Sequence, residues 1–134
     1  MWGLVANSHP NASEAVEIDE LALLKDYSNR TNLIQQIMFH AKEYNLDGVN
    51  VDFESLDVAV GPYYIQFLRE LAVECRNSGL VISVDNYVPA EYNAFYDLEE
   101  QGKIVDYVII MGYDEHYVGS DAGSVSLVSV IVWL

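Results

Sequence analysis

Segments of two kinds take turns along this chain, and that alternation restricts its fold more than any other feature. Short runs rich in β-branched and apolar residues lie at Trp2 to Ala6, in "LDGVNVDFE" (46–54), in "LVISVDNYV" (80–88) and in "IVDYVIIMGYD" (104–114). These read as strands. Between them, Leu33, Ile34, Ile37, Met38, Ala41 and Tyr44 recur at helical spacing from about Tyr27, with Asp26 or Ser28 as the cap. A second helix begins near Pro62, carries Ile65, Leu68, Leu71, Ala72 and Cys75 at helical spacing, and stops at Gly79. A short third helix near 94–101 ends at Gly102. Strands that alternate with helices of this length build a parallel sheet from right-handed crossover units. The expected class is α/β, with about four parallel β/α units and no linker dividing them. The runs 80–84 and 107–111 are apolar almost throughout, which predicts a sheet covered on both faces.

The strand at 46–54 departs from this apolar pattern in an ordered way. Alternation sends Val49, Val51 and Phe53 to one side and Asn50, Asp52 and Glu54 to the other. In a barrel of parallel strands the polar side faces the axis, so the acids share one interior column. Glu54 comes last, at the carboxyl end, where barrel enzymes and open parallel sheets place their active sites. One reading of the column is a buried polar network or salt bridge, but no Lys or Arg occurs between Lys42 and Arg69. The other is catalytic. Acids crowded without a cation raise one another's pKa, and a proton shared between Asp52 and Glu54 would supply a general acid near neutral pH.

Composition narrows the partners. The 134 residues suffice for one core, and 51% hydrophobic residues mark a globular chain. Six Lys plus Arg against 21 Asp plus Glu give a formal charge of −15, which repels phosphate backbones and anionic lipid. Nucleic acid and membrane surfaces are therefore excluded as expected partners, and a neutral ligand fits better. Ten Tyr against four Phe and two Trp suit either half-exposed packing or a surface that stacks on and hydrogen-bonds to a sugar ring. Cys75 falls in a helical pattern and reads as a small core residue. No metal is expected, since "NVDFESLDVAV" lacks the central Gly of a calcium loop and His9, His40 and His116 form no ligand pair at helical spacing. No cofactor is expected either. "MWGLVANSHP" has no signal-peptide character, and the closing "VSLVSVIVWL" is too short to span a bilayer as a helix.

With these residues in view, "LDGVNVDFE" resembles the signature of glycoside hydrolase family 18, the chitinase family, whose pattern is DGxDxDxE on the fourth barrel strand. "MGYD" (111–114) is similar to that family's MxYD on the sixth strand. "WGLVAN" and "MGYDEHY" look most like the bacterial branch of spore-cortex and cell-wall N-acetylglucosaminidases. The resemblance implies a TIM (β/α)8 barrel, here partial, with the four strands standing as the third to the sixth. It implies hydrolysis of a β-1,4 bond after N-acetylglucosamine in chitin or peptidoglycan. It makes Glu54 the proton donor, Asp52 the residue that orients the N-acetyl group, Tyr113 a hydrogen-bonding partner of the acetamide, Asp114 a sugar contact and Met111 part of the floor. Asn50 stands where many members have Asp. Asp47 and Tyr87 join Asn50, Met111 and Asp114 as substrate-binding candidates. The implied location is extracellular, at a cell wall or spore surface.

A complete barrel takes roughly 250 residues and eight strands. Residues 1–134 are thus expected to be an incomplete catalytic domain, truncated at both ends. A half-barrel exposes two strand edges and an apolar face, so self-association is a further expectation. The alternative is a carbohydrate-binding or inactive barrel fragment without catalysis, against which the retained Glu54 argues.

Overall fold

A computed structural model describes residues 1–8, 18–113 and 121–123. Four parallel strands lie in the order β1 (Trp2–Ala6), β2 (Gly48–Asp52), β3 (Val81–Tyr87) and β4 (Tyr107–Met111). Helices α1 (Glu20–Lys25) and α2 (Tyr27–Glu43) connect β1 to β2, α3 (Gly61–Asn77) connects β2 to β3, and α4 (Leu98–Ile104) connects β3 to β4. The two long helices follow the apolar spacing closely. Asp26 caps α2 by accepting from the Asn29 N–H at 2.9 Å. Both helices end on a left-handed residue, Asn45 (φ 49°) and Gly79 (φ 70°). The next N–H then reaches back, Leu46 to the Ala41 carbonyl and Leu80 to the Cys75 carbonyl, each at 2.9 Å.

Two boundaries differ from expectation. The chain from Glu91 to Tyr96 is a 3-10 turn, and α4 starts only at Leu98 behind the capping carboxylate of Asp97, running through Gly102 to Ile104. A buried amide pair fixes this arrangement: Asn86 donates to Gln101 at 2.7 Å, and Gln101 donates back at 3.1 Å and to the Tyr96 carbonyl at 2.7 Å. Such a pair is invisible to periodicity. Helix α1, also unforeseen, is capped by Asp19 and held by Arg30, which donates to the Leu24 carbonyl at 2.7 Å and forks onto Glu70 at 2.7 and 2.8 Å.

The core lies between sheet and helices. Val49, Val51, Phe53, Ile82 and Val84 meet Tyr64, Phe67, Leu68 and Leu71 of α3, and Phe53 stacks on Phe67 with ring centroids 5.6 Å apart. Cys75 is part of this core, its thiol pushed up to about 11 by burial. The opposite, inner face is partly bare. Leu4 is 65% exposed, Tyr107 57%, Trp2 41% and Ile109 41%. The expected cover on both faces is thus partial: on the inner face of β3 only Ser83 is fully buried, and β4, an edge strand among the described residues, is barer still. Its curvature is strong. Trp2 and Tyr107 sit on the two edge strands, which a flat sheet would hold roughly 14 Å apart, yet their rings approach to 5.8 Å. Gly48 permits this, because a Cβ there would stand 3.0 Å from the Trp2 ring and 2.7 Å from the Val81 carbonyl oxygen. No described helix is long and apolar enough to cross a membrane.

Candidate functional site

Register builds the site in two levels on the inner face. Asn50 pairs with Ser83, and the ladder steps through Val51 and Val84 to the next residue of each strand, Asp52 and Asp85. At the last residues of β3 and β4, Tyr87 is level with Met111. The lower level is a hydrogen-bonded chain: the Ser83 hydroxyl donates to the Asn50 carbonyl oxygen, and the Asn50 amide donates to Asp85 Oδ2 at 2.7 Å. At the mouth, the Tyr87 hydroxyl donates to Glu54 Oε2 at 3.2 Å. The Tyr113 hydroxyl donates to Met111 Sδ at 3.1 Å.

The main chain carrying Glu54 is held from both sides. Asn7, just past the end of β1, accepts from the Glu54 N–H and donates to the Glu54 carbonyl, both at 2.9 Å. The same amide donates to Glu20 Oε1 at 2.9 Å. With two acceptors on one side, the amide nitrogen must face them, so its oxygen is left for the Glu54 N–H. From below, the buried Tyr96 hydroxyl donates to the Phe53 carbonyl at 3.0 Å and accepts from the Leu56 N–H at 3.2 Å. Burial pushes the Tyr96 phenol up to about 12. Between these clamps Ser55 adopts φ 55°, a left-handed conformation that costs a residue with a Cβ about 1–2 kcal/mol. That turn carries the chain off the strand immediately after Glu54.

Among the described residues, no cation pairs with the acids of this column. Asp52 is raised above the ordinary carboxylate range, first by burial, then by the charges of Glu54 and Asp85. Asp52 Oδ1 and Asp85 Oδ1 are buried without a hydrogen-bond partner among the described residues. No described group of three or more His, Cys, Asp or Glu could hold a metal ion.

The structure thus gathers Asn50, Asp52, Glu54, Tyr87, Met111 and Tyr113 at the carboxyl ends of β2, β3 and β4. Asp47 does not join them. It has the opposite strand parity and precedes β2, about 23 Å along the strand direction from Glu54, where its carboxylate pairs with the Met1 amino group. Asp114, His9 and His116 lie outside the described residues. Sequence reasoning missed Asn7, Glu20, Ser83, Asp85 and Tyr96. Asp85 had a signal, being the only charge in "LVISVDNYV"; Asn7 and Tyr96 had none, since both act on backbone groups far away in sequence.

Comparison with known proteins gives this mouth a context. The chain is 31% identical over 116 residues to the cortical fragment-lytic enzyme of Bacillus subtilis (strain 168), covering 81% of this chain and 27% of that protein. It superposes on the crystal structure of the Bacillus cereus spore cortex-lytic enzyme SleL with a TM-score of 0.81 at 24% identity, over 96% of this chain and 30% of that one. On the Ostrinia furnacalis Group IV chitinase in complex with allosamidin the TM-score is 0.70 at 30% identity, over 84% and 32%. The fold is thus a four-stranded part of a TIM-barrel-like architecture, and the chain spans about a quarter of the length of the curated relative named here. Residues 21–127, which include Asn50, Asp52, Glu54, Tyr87, Met111 and Tyr113, match the model of glycosyl hydrolases family 18, and the chain belongs to that family.

Proposed function

We propose that the protein containing this chain hydrolyses β-1,4 glycosidic bonds following N-acetylglucosamine, with Glu54 as general acid and base. The observation that carries the reading is the placement of Glu54. Its side chain leaves the carboxyl end of β2, its peptide is clamped by Asn7, and its Oε2 accepts from Tyr87. A general acid needs a fixed carboxyl open to substrate, and this arrangement supplies one.

Asp52 does not serve as a nucleophile in this reading. It lies two residues before Glu54 on the same strand face, roughly 7 Å along it, and points to the same side of any bound sugar. Retention then follows from the substrate's own acetamide oxygen attacking the anomeric carbon, as in family 18. The bond to the leaving oxygen breaks as Glu54 gives up its proton, and an oxazolinium ring forms. Water, deprotonated by Glu54, then opens that ring. Asp52 orients the acetamide and balances the positive charge, with Tyr113 and Met111 completing the acetamide pocket and Asn50 holding the lower level.

The polymer class in this reading is chitin or the glycan of peptidoglycan, acted on at the spore cortex or cell wall. The likeness to a cortical fragment-lytic enzyme and to a chitinase supports it. The test is fluorophore release from chitobioside and chitotrioside conjugates, with Glu54→Gln beside the parent, at several protein concentrations to register association through the open edges. Release that disappears in Glu54→Gln is expected. Equal release in the variant, or equal turnover of a substrate bearing a 2-hydroxyl in place of the acetamide, refutes the mechanism. Binding of chitooligosaccharide with no release would favour the carbohydrate-binding alternative.

A further inference from the structure

The inner column holds more acid than the proposed mechanism uses, and the surplus residue is Asp85. It stands beside Asp52 on the neighbouring strand, one step beyond the Val51 and Val84 pair. Neighbouring strands run about 4.8 Å apart, whereas Glu54 is roughly 7 Å along the strand from Asp52. The carboxylate best placed to share a proton with Asp52 is therefore the one across the ladder, not the one along the strand.

Orphaned oxygens point the same way. Asp52 Oδ1 and Asp85 Oδ1 are both buried and both without a hydrogen-bond partner among the described residues. A buried acceptor left without a donor destabilises the fold, because it has given up its hydrogen bonds to water for nothing. The other Asp85 oxygen is already occupied by the Asn50 amide at 2.7 Å, which itself is locked by the Ser83 hydroxyl. Asp85 is thus oriented with one oxygen free. The described groups around the pair include no cation: Asn50 and Glu54 on the Asp52 strand, Ser83 and Tyr87 on β3, Ala6 level with Asp52 on β1, Ile109 level with Asp85 on β4. From α3, the buried Tyr64 phenol is held above its ordinary range first by burial and in part by both aspartates.

We propose that Asp52 and Asp85 hold one proton between their unpartnered oxygens, so that Asp85 is the positioning residue for Asp52. One proton satisfies both oxygens and leaves the pair with a single negative charge beside Glu54. When positive charge develops on the sugar, the proton moves wholly to Asp85 Oδ1. Asp52 then carries its full charge toward substrate, and no atom enters or leaves the pair. Asn50, which keeps the hydrogen bond but not the charge of an acid, is matched here by an acid on the next strand. The inference rests on the proposed function only for the consequence in turnover; the shared proton is a property of the resting protein.

The test is a carboxyl titration by NMR of the chain carrying 13C at its aspartate carboxyls. Asp52 and Asp85 are expected to titrate together in two steps with common midpoints, as coupled acids do. Asp85→Asn, which preserves size and the contact with Asn50, should leave Asp52 with a single step at lower pH. In turnover, Asp85→Asn should lower kcat about tenfold or more with little change in KM, as loss of a transition-state interaction does. One-step titration of Asp52 in the parent, unmoved by Asp85→Asn, overturns the proposal. Persistent turnover in Glu54→Gln would instead refute the assignment of the acid while leaving the two-step curve intact.

Discussion

Replacing Asn7 by Ala tests whether the site is held from outside its own strand. The substitution removes an acceptor from the Glu54 N–H and a donor from the Glu54 carbonyl, both at 2.9 Å, and a donor from Glu20. Neutral hydrogen bonds contribute about 0.5–1.5 kcal/mol each. The two backbone bonds together are thus worth about 2 kcal/mol, since both groups sit where Phe53 and Leu56 are buried and water enters poorly. With a urea slope of about 2 kcal/mol per M, the midpoint should fall by about 1 M at unchanged slope. Amide exchange at Glu54 should accelerate about thirtyfold, because about 1.4 kcal/mol corresponds to a decade. Asn7→Asp should be worse than Ala, as it sets a carboxylate against the carbonyl of Glu54 and the carboxylate of Glu20. An unchanged midpoint together with parental exchange at the Glu54 amide would refute the clamp.

Arg30→Met takes from Glu70 its ion-pair partner, leaving it the Gln66 amide alone, and takes the donor from the Leu24 carbonyl in a site where Arg30 is only 7% exposed; it should cost about 3 kcal/mol by thermal or urea unfolding. Adding Glu70→Leu should recover much of that loss. The Arg30 hydrogen bond is also the chief cause that holds Glu70 below the usual carboxylate range, so its stabilisation is complete above the unfolded carboxylate pKa and is lost as pH falls through the lower folded value. The acid slope of stability should flatten in Arg30→Met. Asp52 has the opposite sign: with its folded pKa raised, chiefly by burial, stability falls as pH rises from the unfolded to the folded value, so Asp52→Asn should be more stable at neutral pH while losing turnover. Gly48→Val drives side-chain atoms into the Val81 carbonyl and the Trp2 ring and should cost about 1–3 kcal/mol, read as a lowered unfolding midpoint.

Much of this fold was legible because it follows from period. Trp2–Ala6, Tyr27–Glu43 and Gly61–Asn77 come close to the segments that apolar spacing marks. Parity along "GVNVDFE" sorted the residues of β2 to the correct faces, and it also explains the misplacement of Asp47, which has the parity of Val49 and not of Glu54. The 3-10 turn before α4 escaped because its cause is the Asn86 and Gln101 pair, a contact between two elements. The clamps on Glu54 escaped for the same reason, since Asn7 and Tyr96 act across 47 and 43 residues on backbone atoms that no pattern of side chains reports.

The allocation of charge ties the helices to the site. All six basic residues, Lys25, Arg30, Lys42, Arg69, Arg76 and Lys103, fall on helices, and none on a described strand or at its carboxyl end. Their partners among the described residues belong to the helical layer and its turns: Glu70 for Arg30, Glu100 for Arg69, Glu99 and Glu100 for Lys103, and the Ile104 carbonyl for Arg76. A cation within about 4–6 Å of Asp52 would lower its pKa and satisfy its orphaned oxygen, a gain in stability that a purely structural column would favour. The sheet instead sets Asp52, Glu54 and Asp85 together on a face where the described residues offer compensation by hydrogen bonding from Asn50 and Tyr87. Polar atoms left unsatisfied inside an otherwise well-packed domain cluster where chemistry requires them, and two of the three among the described residues, Asp52 Oδ1 and Asp85 Oδ1, lie one level beneath Glu54, the third being the Tyr64 hydroxyl of α3.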